Sequence, residues 1–252
     1  MSLAAVSAVG WTLLAVAALL AGFSKTALNG VGLIGVALFA AVLPARQSTG
    51  VLLLLFLVGD LFAITAYRRH ADWRALLRLA PSVVVGVLLG VVFLAKVGDT
   101  TVRRSIGVVL LLLVLVHLWT RRAGATRAEP GARAHLPRPV TIGAGSLAGF
   151  TSMVANAGGA VMTIYMLGAG MDVMTFLGTG AWFFFAVNLV KLPFSIALGL
   201  VPSASLIVLV LLAPLVVVGA MVGRRVVPHL NAALFEHLVV GFTILAALNL
   251  VR

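Results

Sequence analysis

The chain has 252 residues, of which 62% are hydrophobic and 10% are charged, and its mean hydropathy is +1.20. This composition excludes an ordinary soluble domain. Uncharged runs such as 139–171 and 192–223 are long enough to cross a bilayer as helices, whereas barrel strands are roughly ten-residue segments of alternating hydrophobicity. The absence of cysteine excludes disulfides and thiolate chemistry. We therefore predict an all-α polytopic membrane protein.

The net charge of +12 does not indicate nucleic-acid binding. Most basic residues lie in short connections beside hydrophobic segments, where they contact anionic lipid and set the membrane orientation. The lipid bilayer is therefore the expected partner, and nucleic acid is not.

The first apolar region spans residues 3–43 and ends at Pro44. At about 1.5 Å per residue it is too long for one crossing, and a polar, glycine-containing stretch breaks it in the middle. Residues 3–21 have the length of a signal peptide but lack a basic n-region and a cleavage-like site, so we interpret them as a retained helix. Further helices are predicted at about 48–67, 80–96 and 104–120, with a basic connection at 68–78.

A hydrophilic linker at 121–138 divides the chain into two membrane repeats, residues 1–120 and 139–252. The positive-inside rule places both this linker and the 68–78 connection in the cytoplasm. The second half repeats the order of the first. An apolar segment at 140–168 is followed by predicted helices at about 174–192, 203–223 and 232–250.

The two halves share a sequence motif. Residues 20–32, LAGFSKTALNGVG, recur as residues 147–159, LAGFTSMVANAGG, with a constant offset of 127. Other landmarks recur in order: Thr49-Gly50 with Thr179-Gly180, and Pro81, Gly86 and Gly90 with Pro214, Gly219 and Gly223. Two polar, glycine-broken segments related by an internal repeat indicate a midplane binding site in a transporter.

Segment 140–168 is too short for two full crossings, so we interpret it as a re-entrant pair of half-helices that starts and ends in the cytoplasm. Each half then has an odd number of crossings, and the halves form inverted repeats. This places Arg224 and Arg225 in the cytoplasm, as the charge rule prefers, but Lys96, Arg103 and Arg104 outside. Parallel repeats remain the alternative.

Charged side chains inside apolar segments are the first candidates for a site. Lys25 and Lys191 are two of the three lysines, and a buried cation usually faces a cavity, a counter-ion or a substrate path. The alternative for Lys191 is snorkelling to the interface, because Pro193 is expected to end its helix. Asp60 is the lone acid of the 48–67 helix, with three readings: counter-ion to a lysine, proton-coupling carboxyl, or interhelical hydrogen bond when protonated.

Asn29 and Asn156 occupy equivalent places in the motif. One interpretation is that each amide caps a helix break. The other is that the amides and the N–H groups of half-helix N-termini face an anion, since each helix start carries roughly half a positive charge. The two roles are compatible.

Other polar side chains surround these candidates in sequence. Ser24, Thr26, Thr151 and Ser152 can donate hydroxyl hydrogen bonds to a substrate or bond back to their own helices. Asn188 shares a helical face with Lys191, and Thr179 lies two or three turns before them. No nucleophile elbow, HExxH or Walker A pattern occurs. We therefore predict neither an enzyme nor a cofactor or metal site.

Several runs resemble the TauE/SafE family of sulfite and organosulfonate exporters over nearly the whole chain. They are Ala21–Thr26, Val58–Ala63, Tyr67–Trp73, Ala155–Gly159 and Gly178–Phe183. The resemblance implies an inner-membrane permease for small sulfur-containing anions or related carboxylates, coupled to an ion gradient.

The resulting hypothesis is a secondary transporter that works by alternating access. Asn29 and Asn156 hold the anion, Lys25 and Lys191 balance its charge, and Asp60 orients a lysine or takes a coupling proton. An anion channel of the same architecture and a non-transporting scaffold subunit of a sulfur-metabolism system are the alternatives. The sequence leaves the anion, the transport direction, the coupling proton or cation, and a homodimer open.

Overall fold

A computed structural model of the chain describes residues 6–27, 31–122 and 136–226, together with the single positions 244 and 248. All regular secondary structure in these segments is helical. The helices are α1 (Ala8–Thr26), α2 (Gly32–Val42), α3 (Ala45–Tyr67), α4 (Trp73–Lys96), α5 (Asp99–Arg122), α6 (Arg138–Ala155), α7 (Gly158–Gly168), α8 (Val173–Ala197) and α9 (Ala204–Val226), with a 3₁₀ turn at Arg68–His70.

In the described part of the chain, five helices are long and apolar enough to span a bilayer: α1, α3 with its 3₁₀ turn, α4, α8 and α9. This finding confirms the prediction of an all-α, multi-pass membrane protein. The predicted last helix at 232–250, most of the 121–138 linker and Asn29 lie outside the described residues.

Two predicted boundaries were wrong. α4 begins at Trp73 rather than near residue 80, because the Asp72 carboxylate caps it by accepting a hydrogen bond from the Ala75 N–H at 3.1 Å. The basic residues Arg74 and Arg78 therefore lie on a helix rather than in a connection. α8 continues through Pro193 to Ala197, since helices in membranes accommodate internal prolines that would end a helix in water.

The long helices α3 and α8 run antiparallel through the centre of the bundle. At one end, the Arg46 guanidinium at the start of α3 donates to the carbonyl oxygens of Leu94 at 2.5 Å and Leu198 at 3.4 Å. We call this the Arg46 end. At the other, the Asp72 end, the Asp72 N–H donates to Thr179 Oγ1 on the first turns of α8 at 2.9 Å.

Helices α1 and α2 form one helical hairpin, and α6 and α7 form a second one. The two hairpins open at opposite ends of the bundle. α2 leads directly into the start of α3 at the Arg46 end, and α7 leads into the start of α8 at the Asp72 end. The arms are unequal, because α1 and α6 have 19 and 18 residues whereas α2 and α7 have 11 each. The expected pair of half-helices at 140–168 is thus one arm of about 27 Å and one of about 16 Å.

Glycines bring helices of the two halves into backbone contact. A Cβ on Gly22 in α1 would overlap the carbonyl oxygen of Val216 in α9, and a Cβ on Gly149 in α6 would overlap that of Val83 in α4. The same reciprocity holds for two further sets of contacts. Gly86 lies against the carbonyl oxygen of Ser146, as Gly219 lies against that of Leu19. Gly90 lies near the carbonyl oxygen of Phe150, as Gly223 lies near that of Phe23. Small residues permit such close helix crossings in membranes. The long hairpin arm of each half therefore packs on a helix of the other half.

Candidate functional site

A small cavity of about 30 Å³ lies between the two hairpin tips. Its walls come from both halves of the chain: Ser24, Lys25, Gly32, Leu33, Phe56, Ser152, Asn156, Gly158, Gly159, Phe184 and Asn188. A water molecule occupies about 10–15 Å³ on this scale, so the cavity holds about two waters.

The first residues of both short helices line this cavity. Gly32 is the first residue of α2, and Gly158 and Gly159 are the first two residues of α7. The first N–H groups of a helix have no acceptor within that helix, and they carry the positive end of its dipole. Two helix starts at one cavity favour a negatively charged occupant.

Lys25 lies on the last turn of α1 and forms an ion pair with Asp60 of α3. The Nζ–Oδ1 distance is 2.7 Å, and the two side chains are 7% and 0% exposed. The ammonium also lies over the rings of Phe56, at 4.3 Å, and Phe184, at 4.8 Å. Cation–π contacts of this kind stabilise an ammonium that has left water. The predicted role of Asp60 as counter-ion to a lysine is the one this geometry favours.

Lys191 is buried, with 1% of its surface exposed, and turns into the bundle. Its ammonium donates to the Ser152 carbonyl oxygen at 2.7 Å and to Asn156 Oδ1 at 2.7 Å, with Ser152 Oγ at 3.2 Å. Asn188 Oδ1 lies at 3.4 Å. The alternative of snorkelling to the interface was wrong, because α8 continues beyond Pro193 and the side chain is bound by groups of α6 and by the α6–α7 break.

The two asparagines near Lys191 have fixed orientations. Asn188 Nδ2 donates to Asp60 Oδ2 at 2.6 Å, and Asn156 Nδ2 donates to the Thr49 carbonyl oxygen at 2.9 Å. Each acceptor requires the NH₂ side of its amide, so each amide oxygen points towards Lys191. A continuous polar chain thus runs from Lys25 through Asp60, Asn188 and Lys191 to Asn156.

Asn156 also ends α6. Its backbone adopts the left-handed conformation with φ 50° and ψ 28°, which asparagine tolerates better than most residues. Its N–H donates to the Ser152 carbonyl oxygen at 3.0 Å, and the next N–H, of Ala157, donates to that of Thr151 at 3.1 Å. One residue therefore both ends the long arm and presents its amide to the cavity. The capping role of Asn156 is thus observed, and the binding of an anion by its amide stays a prediction.

The structure brings together seven of the predicted site residues. Ser24, Lys25, Ser152, Asn156 and Asn188 line the cavity, and Lys191 bonds to its wall. Asp60 lies directly behind Lys25.

Three predicted hydroxyls make contacts elsewhere. Thr26 Oγ1 donates to the Ala220 carbonyl oxygen of α9 at 2.8 Å, and Thr151 Oγ1 donates to its own helix at Leu147 at 2.7 Å. Thr179 Oγ1 accepts the Asp72 N–H at the Asp72 end. The remaining predicted residue, Asn29, lies outside the described residues.

Sequence reasoning missed the two aromatic rings at Lys25. Phe56 precedes Asp60 by four residues on α3, and Phe184 precedes Asn188 by four on α8. Residues four apart share a helical face, so this spacing carried the signal. Across the residues that the structure describes, no three His, Cys, Asp or Glu side chains cluster as metal ligands.

The decisive comparison covers almost the whole chain. The family model of the sulfite exporter TauE/SafE matches residues 14–250. The chain belongs to the TauE/SafE family. Proteins of this family are transporters, which agrees with the predicted membrane transport function. Neither a curated protein nor a solved structure matches this TauE/SafE chain with significance.

Proposed function

We propose that this TauE/SafE protein is a secondary carrier that binds one small sulfur-containing anion, such as sulfite or an organosulfonate, between its two hairpins. The observation that carries the proposal is the ammonium of Lys191. It is buried beside the cavity, and each of its partners is a neutral oxygen. A buried cation without a counter-ion is costly, and an anion in the cavity supplies one.

The wall of the cavity supports the same occupant. Lys25 contributes a second ammonium, and the starts of α2 and α7 contribute N–H groups and the positive ends of two helix dipoles. Ser24, Ser152 and the amides of Asn156 and Asn188 supply the hydrogen-bonding groups that orient sulfur-bound oxygens. We place Asn29 in the same role at the first tip, on its correspondence with Asn156 in the repeat.

The proposed transport cycle is alternating access by two inverted repeats. Three observations support this: the antiparallel course of α3 and α8, the hairpins that open at opposite ends, and the reciprocal glycine contacts between halves. The groups that join the halves at the two ends differ. Arg46 bonds to Leu198 at one end, and Asp72 bonds to Thr179 at the other. In each step of the proposed cycle, the hydrogen bonds at one end break while those at the other end persist.

Counterflow in proteoliposomes tests the carrier proposal. Vesicles loaded with unlabelled sulfite should transiently accumulate external labelled sulfite against its gradient, which a channel does not do. Flux without counterflow supports an anion channel instead, and the absence of flux supports a non-transporting subunit.

Two lysine variants test the site. Lys191→Met should abolish counterflow, since it removes the uncompensated positive charge. Lys96→Met is the matched control, because Lys96 is exposed at the end of α4 and should be replaceable without loss of transport. Normal counterflow in a stably inserted Lys191→Met protein would refute the site.

A further inference from the structure

We propose that the site selects its anion by charge: it accepts a monoanion as such, and it accepts a dianion only together with a proton on Asp60. This inference rests on the proposed function and specifies the substrate class for the same cavity. It comes from the buried network that joins Lys25, Asp60, Asn188 and Lys191.

The protonation state of Lys191 follows from its partners. Three of its neighbours are carbonyl-type oxygens, which accept hydrogen bonds and cannot donate: the Ser152 main-chain oxygen and the side-chain oxygens of Asn156 and Asn188. The orientation of both amides is fixed by acceptors on their NH₂ sides. An ammonium has three donors for these oxygens, whereas a neutral amine would direct its lone pair at one of them. These acceptors favour the ammonium form of Lys191.

The charges of the site do not cancel. Lys25 is matched by Asp60 at 2.7 Å, which leaves the charge of Lys191 in excess. One bound monoanion makes the buried site neutral. A dianion would leave a net negative charge in a region shielded from water, unless the Asp60 carboxylate accepts a proton and frees Lys25 to serve as the second cation.

The surrounding helices offer few other charges to Asp60. Lys25 approaches from α1 and Lys191 from α8, while α2 carries no titratable residue. Tyr67 lies at the end of α3, two turns beyond Asp60, and Arg224 faces that tyrosine from the end of α9. In the segments that the structure describes, Asp60 is thus the acid placed to take up the accompanying proton.

A pair of anions of similar shape tests the inference. Methanesulfonate and sulfate are both tetrahedral, and they carry one and two negative charges at neutral pH. In the purified wild-type protein, methanesulfonate should bind at least about tenfold more tightly than sulfate. The free-energy cost of one unbalanced charge in a medium of low dielectric is larger than the free energy that a tenfold difference in affinity represents.

Asp60→Asn mimics the protonated carboxyl and gives the site two positive charges. We expect the affinity ratio to shift at least about tenfold towards sulfate in this variant. Asp72→Asn is the matched control, since asparagine also caps helices and residue 72 lies outside the cavity; it should keep the wild-type ratio. An unchanged ratio in Asp60→Asn, or wild-type preference for sulfate, would overturn the inference.

Proton uptake gives a second test that needs no variant. In weakly buffered solution, sulfate binding to the wild-type protein should take up about one proton per bound ion, and methanesulfonate binding none. Sulfate binding without proton uptake would contradict the selection by charge but would leave the proposed function standing. If sulfite, methanesulfonate and sulfate all fail to bind, the proposed function itself is refuted.

Discussion

Because of the ion pair between Lys25 and Asp60, substitutions of the two residues should have strongly non-additive effects on the free energy of unfolding. Both side chains are almost completely removed from solvent, and their charged atoms are 2.7 Å apart. Lys25→Met leaves the Asp60 carboxylate with the Asn188 amide as its remaining hydrogen-bond donor. Breaking one side of a buried pair in this way costs about 3–5 kcal/mol. For a chain of this length that corresponds to a fall in Tm of about 6–20 °C.

The reverse single substitution should cost less. Asp60→Asn is isosteric, and Lys25 keeps the ring faces of Phe56 and Phe184 together with an amide oxygen. We expect about 2 kcal/mol, the usual contribution of a hydrogen bond to a charged group. The double variant Lys25→Met/Asp60→Asn contains no unpaired charge at this position, so it should be more stable than Lys25→Met alone.

Thermal unfolding of the wild type, the two single variants and the double variant in detergent measures this coupling as a double-mutant cycle. The expected coupling energy is at least about 2 kcal/mol, in the upper part of the range for contacting residues. Lys96→Met serves as the reference for removing an exposed lysine and should change stability by less than about 0.5 kcal/mol. Additive effects of Lys25→Met and Asp60→Asn would refute the buried ion pair.

Three further predictions concern single positions. Asn156→Ala should destabilise the protein by about 1 kcal/mol more than Asn156→Gly, because glycine adopts the left-handed backbone without strain; equal melting temperatures would contradict this. In α6, Gly149→Ala should destabilise by at least about 2 kcal/mol through overlap with the Val83 carbonyl, whereas Gly143→Ala, which meets open space, should stabilise by about 0.5–1 kcal/mol. Hydrogen bonds from the Thr175 hydroxyl and N–H lower the pKa of Asp172 from 3.8, so the stability they contribute is present above that value and lost as the pH falls through the lower folded pKa. The effect is small because the carboxylate is exposed, and Asp172→Ala should abolish it in pH-dependent unfolding.

The helical bundle could be predicted from hydropathy and from the internal repeat, because both can be read from the sequence without knowing which helices are in contact. Lipid-facing helices must be apolar along their length, and the glycine motif marks the place where each hairpin breaks. The glycines that recur at 86 and 219 marked the repeat, but their close approach to Ser146 and Leu19 could be identified only in the folded structure.

The side-chain arrangement of the site was less accessible to sequence reasoning. Ser24 and Thr26 are two positions apart, so they point to different sides of α1: the first lines the cavity and the second contacts α9. Motif membership cannot decide between such neighbours, because the choice depends on how α1 crosses other helices. The partners of Lys191 on α6 are likewise set by packing between halves, and so is the Thr49 carbonyl that orients Asn156.

Anion-dependent thermal stabilisation tests the central claim most directly, because an anion that binds the native state must raise its melting temperature. Sulfite or methanesulfonate at about 100 times its dissociation constant should stabilise the wild-type protein by about 2.7 kcal/mol. The corresponding rise in Tm is about 5–11 °C. The rise should disappear in Lys191→Met and persist in Lys96→Met. An equal rise in Lys191→Met would contradict an anion site built around this buried ammonium.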